Sequence, residues 1–207
     1  MEKLDLAKKH KSYFTAKPKP ELVEIENAQF ISICGKGDPS GQQFTDNIEA
    51  LYTVAYALKF IYKAKEKDFV VSKLEGLWWF DEEKFCNKTI ASSSVEVPRS
   101  EWEYRLLIRL PDFVAEHDLE KAKETVLAKK KTALAGKVEY FTMSEGKSVQ
   151  MLHVGPFSTE PQSLQQIGAF IETHKLSRNG LHHEIYLSDF RKTEPGKLKT
   201  ILREPVK

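Results

Sequence analysis

A chain that runs twice through one order of elements is confined to folds in which two copies of that unit face each other, and this 207-residue sequence does so. Residues 28–34 (AQFISIC) are apolar and β-branched and run into the turn-rich GKGDPSG, which predicts a strand followed by a loop. From about Gln42 to Lys63, Phe44, Ile48, Leu51, Tyr52, Ala55 and Leu58 recur at three- and four-residue spacing, the period of a helix with one apolar face. LEGLWWFD (74–81) and WEYRLLIRL (102–110) read as two further strands. The order then recurs. SVQMLHV (148–154) predicts a strand ending at Gly155-Pro156. TEPQ (159–162) predicts a helix start, with Thr159 as N-cap, Pro161 in the first turn and Gln162 at the capping-box position, and the helix should run to about His174. After a turn at Asn179-Gly180, strands over about 182–187 and 197–203 complete the set. Laid over each other, the halves match SICGKGDP with LHVGPFS and LEGLW with HEIYL, so that Glu75 falls opposite Glu184.

The expected architecture is α+β: a tandem pseudo-twofold repeat of strand-helix-strand-strand modules, with antiparallel sheets, helices on the outer side and a central ligand cleft, where small-molecule sites commonly lie. Module one spans about 28–111, a connecting helix with the stripe Leu119, Ala122, Val126 and Leu127 spans about 114–131, and module two about 148–204. Residues 21–207 form one domain in this reading. Residues 1–20, charged and closing with KPKP, are expected to be an arm that lies across the body rather than core.

Composition removes several function classes. With 41% hydrophobic and 30% charged residues the chain can build a sizeable core, and no apolar run approaches the roughly 20 residues that span a bilayer. The start, MEKLDLAKKHKSYF, lacks the apolar core of a signal peptide, so no membrane contact and a cytoplasmic location are expected. A net charge of +2 offers no footprint for a nucleic-acid partner, and Lys129-Lys130-Lys131 follow a helical stretch whose carboxyl end they complement. The twenty arm residues are also too few for a DNA-reading domain. Cys34 and Cys86 form no CxxC, so neither a disulfide framework nor a zinc site is indicated, and Cys34 reads as a small buried strand residue. GKG at 35–37 lacks the close of a P-loop, and neither a dinucleotide fingerprint nor a nucleophile elbow is present; no cofactor is expected.

The chemistry concentrates in HHEIYLSD (182–189). Side chains alternate along a strand, so His182, Glu184 and Tyr186 share one face, and His183, Ile185 and Leu187 the other. The second face is apolar and is expected to pack on the helices, leaving Glu184 and Tyr186 toward solvent or the cleft. An unpaired buried carboxylate costs several kcal/mol, so Glu184 must be paired, solvated or facing a cavity. The same parity groups Glu75, Leu77 and Trp79, with Trp78 and Phe80 opposite, which makes Trp79 the expected stacking wall. Trp102, Tyr104, Tyr52, Tyr56 and Phe157 complete the candidate aromatic lining. His153 shares a face with Val149 and Met151 and reads as a core or rim histidine beside the ligand site. Adjacent His182 and His183 face opposite ways, which argues against a shared metal.

ISICGKGDPSG, LEGLWWF, LHVGPF and HHEIYLSDFRKTEPGKLKTILREPV together resemble the GyrI-like small-molecule-binding proteins, a stand-alone form of the drug-binding domain of multidrug-sensing regulators. The resemblance covers nearly the whole chain and implies the same tandem fold. It also implies that the glutamate of the EIY motif, here Glu184 with Tyr186 beside it, projects into a cavity that takes flat aromatic or cationic molecules. Some stand-alone members that look like this chain hydrolyse cyclopropanoid cyclohexadienone genotoxins. That implied activity needs a base near the strained carbon and a donor at the developing phenolate oxygen. Glu184 would be the base or water-positioner, Tyr186 the donor to the carbonyl or the group orienting Glu184, and Trp79, Trp102 and Tyr104 the sandwich around the drug. Non-catalytic sequestration of drugs and binding of a protein partner, as a topoisomerase inhibitor would, remain open alternatives. A monomer is expected.

Overall fold

A computed structural model describes residues 3–85, 90–129 and 132–207. Cys86, Lys130 and Lys131 lie outside them. In chain order the elements are α1 (Leu6–Lys9), β1 (Glu21–Ile25), β2 (Ala28–Lys36), α2 (Gln42–Ala64), β3 (Leu74–Trp79), α3 (Ile90–Glu96), β4 (Glu103–Leu110), α4 (Glu116–Ala128), β5 (Glu139–Met143), β6 (Gly146–Val154), α5 (Glu160–Thr173), β7 (His182–Tyr186) and β8 (Lys199–Pro205). The strands form one antiparallel sheet in the order β1-β6-β8-β7-β3-β4-β2-β5.

That order is symmetric about the β7–β3 seam, which is the pseudo-twofold predicted from the repeat. The edge strands β1 and β5 extend it. Each stands immediately before its own module's first strand but pairs with the first strand of the other, β1 on β6 and β5 on β2. Only Glu26 and Asn27 separate β1 from β2, a reach of about 10 Å, although the two strands stand near opposite ends of the sheet order. The sheet must therefore curl until its ends approach each other.

One face of the curl carries the helices. Ile31 and Ile33 of β2 and Leu106 and Ile108 of β4 pack with Leu51, Val54 and Leu58 of α2 and with Leu119 and Val126 of α4, while Val149, Met151 and Leu202 pack under α5. The other face is covered by the N-terminal arm, contrary to the expectation that the arm is not core. Leu6, Tyr13 and Phe14 are buried against Phe30, Leu77, Leu107, Ile185 and Ile201. Each such side chain contributes roughly 1.5–3 kcal/mol of burial.

The covering arm reverses one further expectation. The apolar face of β7, with His183 and Ile185, meets the arm and not the helices, so Glu184 and Tyr186 lie on the helix side of the sheet. Two smaller readings also change. Cys34 is exposed, because the Lys36 end of β2 runs beyond the arm's cover. Thr159 is the N-cap of α5 but makes no side-chain cap bond; its hydroxyl donates to Pro156 O (2.8 Å), so the capping box does not form.

Candidate functional site

Over the β7–β3 seam the helices part, and a cleft of about 1000 Å³ opens between the start of α2, residues 80–85 and 93–99, and the start of α5. Its floor is set by strand register. Gly76 pairs directly with Glu184 and Trp78 with His182, so Trp78 stands on the Glu184 face and Glu75 on the other. Matching Glu75 with Glu184 in the sequence was one residue out of register, and a one-residue slip exchanges every side chain between faces. Glycine is required at position 76: a Cβ there would sit 2.9 Å from Trp78 Nε1 and 3.1 Å from the Tyr186 oxygen. The open space lets Trp78 Nε1 donate to the Tyr186 oxygen at 3.2 Å.

A chain of hydrogen bonds continues from there. Tyr186 donates to Glu184 Oε2 (2.7 Å), His182 Nε2 lies 3.2 Å from Glu184 Oε1, and His182 Nδ1 lies 2.5 Å from Glu204 Oε1. Arg178 Nε forms an ion pair with Glu204 at 3.3 Å from Oε2, an oxygen that accepts no hydrogen bond. Burial alone would lower the pKa of His182, but the Glu204 and Glu184 carboxylates raise it to about 10. It is therefore an imidazolium at neutral pH, donating from both nitrogens. Burial, reinforced by the Glu184 charge, pushes the Tyr186 phenol well above its usual range, so it stays protonated.

A second carboxyl joins this cleft. Glu160, the first residue of α5, is buried, and its Oε1 has no hydrogen-bond partner. Burial raises its pKa well above the usual carboxyl range, the Glu184 charge adds to this and the His182 charge opposes it. The sequence marked this position only as a helix start; in the structure α5 packs against α3, and Glu160 lies buried at the cleft. His182 and Glu204 were likewise unassigned.

The aromatic walls differ in part from expectation. Trp102 lines the cleft, edge-on to Trp78 (6.3 Å between centroids, 77°) and to Phe80 (5.1 Å, 73°). Phe157 lines it as expected, edge-on to Tyr186 and Phe190. Trp79 is part of the lining, but its side chain packs with the arm-side cluster, and Trp78 takes the place predicted for it. Tyr104 is core, edge-on to Phe44 and bonded to Asn47 Nδ2 (3.1 Å). Tyr52 packs against the α2 core beneath Arg191, outside the cleft, because its position on α2 is turned from the seam. Tyr56 lies exposed on the outer side of α2 in a separate shallow hollow with Phe60 and Lys129. His153 is buried, with Nδ1 2.9 Å from Ser163 Oγ and Nε2 3.2 Å from Pro156 O; it ties β6 to α5 and does not line the cleft.

Glu75 also lies away from the cleft. Its Oε2 accepts from Tyr13 OH (2.5 Å) and lies 3.0 Å from His183 Nε2 beneath the arm. Among the described residues no group of three or more His, Cys, Asp or Glu side chains is arranged to hold a metal ion, and no helix is long and apolar enough to cross a membrane.

The family model of the GyrI-like small-molecule-binding domain matches residues 18–207. Among solved structures, an uncharacterized conserved protein from Listeria innocua superposes with a TM-score of 0.88 at 38% identity, covering 99% of this chain and 100% of that one. Two further structures, each described as a hydrolase from Listeria innocua, give TM-scores of 0.84 and 0.85 at 37% and 38% identity, covering 99% and 100% of this chain and all of theirs. The C-terminal domain of EcmrR shares the fold at 11% identity, with a TM-score of 0.58 over 91% of this chain and 97% of its own. No curated protein sequence matches at the stringency applied.

Proposed function

The chain belongs to the GyrI-like small-molecule-binding domain family, and we propose that its cleft hydrolyses flat cyclopropanoid cyclohexadienones, opening the strained ring with water. The observation that carries this reading is Glu184, held from both sides by Tyr186 and His182 in the floor of an aromatic-walled cleft. The likeness to Listeria innocua hydrolases over the whole chain supports a hydrolytic use of that carboxylate. At about 1000 Å³ the cleft is at the upper end of drug-sized sites.

The steps follow from the donors and acceptors. The flat substrate lies between Trp102 and Phe80 on one side and Phe157 and Phe190 on the other. Each carboxylate oxygen has two lone pairs, so Glu184, although accepting from Tyr186 at Oε2 and His182 at Oε1, keeps one free on each oxygen for a water. As that water's oxygen bonds to the cyclopropane methylene, Glu184 takes its proton. The carbon–carbon bond breaks with its electron pair entering the ring, and the dienone carbonyl becomes a phenolate oxygen. Tyr186 has one O–H, and it is engaged with Glu184; its part is to orient the base rather than to donate to the carbonyl. The His182 imidazolium fixes the other oxygen and balances the charge.

The test is the loss of dienone absorbance with protein present in catalytic amount. Multiple turnovers, reduced at least about 100-fold in Glu184→Gln, support the reading. A stoichiometric spectral change without turnover, weakened by the same substitution, would instead make this a drug-sequestering protein.

A further inference from the structure

The hydrolytic reading leaves one group unassigned: a donor for the oxygen that becomes phenolate. Tyr186 cannot supply it without releasing Glu184, and His182 directs both N–H bonds to carboxylates. Ser40, Ser158, Arg99 and Arg178 also line the cleft, but among its described residues Glu160 is the buried one with an unpartnered side-chain oxygen. Its Oε1 is buried, lines the cleft and meets no partner, so an acceptor brought by a ligand is what would satisfy it.

Charge counting fixes its form. Around the cleft floor, His182 and Arg178 carry two positive charges, and Glu184 and Glu204 carry two negative ones, linked to them in a single chain. Among the described residues, no ion pair to Glu160 is formed. The other charged groups of the lining, Glu82 and Arg99, stand within residues 80–85 and 93–99; Glu82 is drawn to Arg178 (3.7 Å) and Arg99 to Asp38 (3.5 Å). The α5 N-terminus favours an anion at Glu160, but that effect is a small one beside burial next to Glu184, and the net result is a carboxyl that holds its proton.

Resting on the hydrolytic reading, we infer that Glu160 is a further catalytic residue: it carries a proton into the reaction and delivers it to the substrate's carbonyl oxygen as ring opening places charge there. Two carboxyls in one cleft, one held as an anion by an imidazolium and a phenol and one left without a counter-charge, divide the work of base and acid. The balance closes. Glu184 gains the proton of the attacking water, Glu160 loses its own to the phenolate, and exchange with solvent returns both to the starting state, so the net change is addition of water. The arrangement also selects ligands: those presenting a carbonyl or other acceptor at this end fit Glu160, whereas its protonated form offers a cation no counter-charge.

Two measurements test this, one of them independent of turnover. An infrared difference spectrum of wild type against Glu160→Gln at neutral pH should contain the C=O stretch of a protonated carboxyl; its absence overturns the inference even if the enzyme is active. In steady-state hydrolysis of the parent spirocyclopropyl cyclohexadienone, Glu160→Gln should lower kcat about 100-fold, leave affinity for the phenolic product unchanged, and remove the fall in kcat expected of the wild type below about pH 10, where His182 gives up its own proton. Wild-type kcat in Glu160→Gln, or a loss of kcat and product affinity together with the alkaline fall intact, overturns the role of Glu160 while leaving hydrolysis standing. A wild type that does not turn over overturns both.

Discussion

The two faces of the β7–β3 seam carry the same sequence of polar groups. On the arm side the chain runs Tyr13, Glu75, His183, Glu145, Arg203, through contacts of 2.5, 3.0, 2.9 and 2.9 Å. On the cleft side it runs Tyr186, Glu184, His182, Glu204, Arg178, through 2.7, 3.2, 2.5 and 3.3 Å. What differs is the covering. Under the arm Glu75, His183 and Arg203 have no exposed surface, and the guanidinium groups of Arg109 and Arg203 lie over the Tyr13 ring at 4.3 and 4.6 Å. Over the cleft, Arg178 is 39% exposed and the ring of Tyr186 borders open volume. One set of groups thus serves as a structural clamp where the chain's own aromatic side chain completes it. The other, which no described residue of the chain covers in the same way, borders open volume that a ligand can fill. An unpartnered carboxyl oxygen has a different meaning by place: Glu75 Oε1 is sealed beneath the arm and Glu204 Oε2 faces the Arg178 guanidinium, while Glu160 Oε1 belongs to a residue that lines the cleft.

The largest expected effect breaks the arm-side chain. Arg203→Met leaves Glu145 with only His183 for a counter-charge in a fully buried site, and should lower stability by about 3–5 kcal/mol in a denaturant titration. Its cleft-side counterpart Arg178→Met, at a partly exposed pair, should cost about 1 kcal/mol or less. Equal losses at the two sites would mean that both chains are structural.

The tyrosines sharpen the contrast. Tyr13→Phe removes a donor that water cannot replace and should cost about 1–3 kcal/mol. Tyr186→Phe, beside open volume, should cost about 1 kcal/mol or less yet reduce turnover by roughly tenfold or more, since Glu184 loses its orienting bond.

The remaining effects are pH-dependent and opposite in sign. Burial alone would raise the pKa of Glu145, but His183 and Arg203 pull it down to about 2, below its ordinary 4.5. Its contribution is complete above 4.5 and is lost as pH falls through 2. His182 is raised from 6.5 to about 10, so its contribution is complete below 6.5 and is lost as pH climbs through 10. Thermal melts should therefore show an acid loss that is reduced in Glu145→Gln, with Asp118 and other paired carboxylates supplying the rest, and an alkaline loss that is reduced in His182→Gln.

Much of this was legible in the sequence. The recurrence of LEGLW as HEIYL, with a strand and an amphipathic helix before each, announced the pseudo-twofold, and strand parity separated His182 from His183 and put Glu184 beside Tyr186. Parity gives two faces but not their coverings. Nothing local in MEKLDLAKKHKSYF reveals that Tyr13 reaches Glu75, 62 residues away, and so the apolar face of β7 was assigned to the helices. The exchange of Trp79 for Trp78 has a related cause, since register is a property of the pair and here places Gly76 against Glu184. β1 and β5 were missed because five-residue edge strands such as ELVEI carry charge and weak alternation, and only their partners in the other module define them. Glu160 stayed hidden behind its role at a helix start; its burial is a tertiary property, set where α5 meets the cleft.

The most direct test sets the two glutamates against each other: melting temperature and kcat on the spirocyclopropyl cyclohexadienone for Glu75→Gln and Glu184→Gln, measured side by side. The account predicts that Glu75→Gln melts well below wild type, having lost about 3 kcal/mol or more, while its folded fraction retains wild-type kcat, and that Glu184→Gln melts near wild type but has lost turnover. A Glu184→Gln protein that turns over normally, or a Glu75→Gln protein that melts as wild type and is inactive, would contradict it.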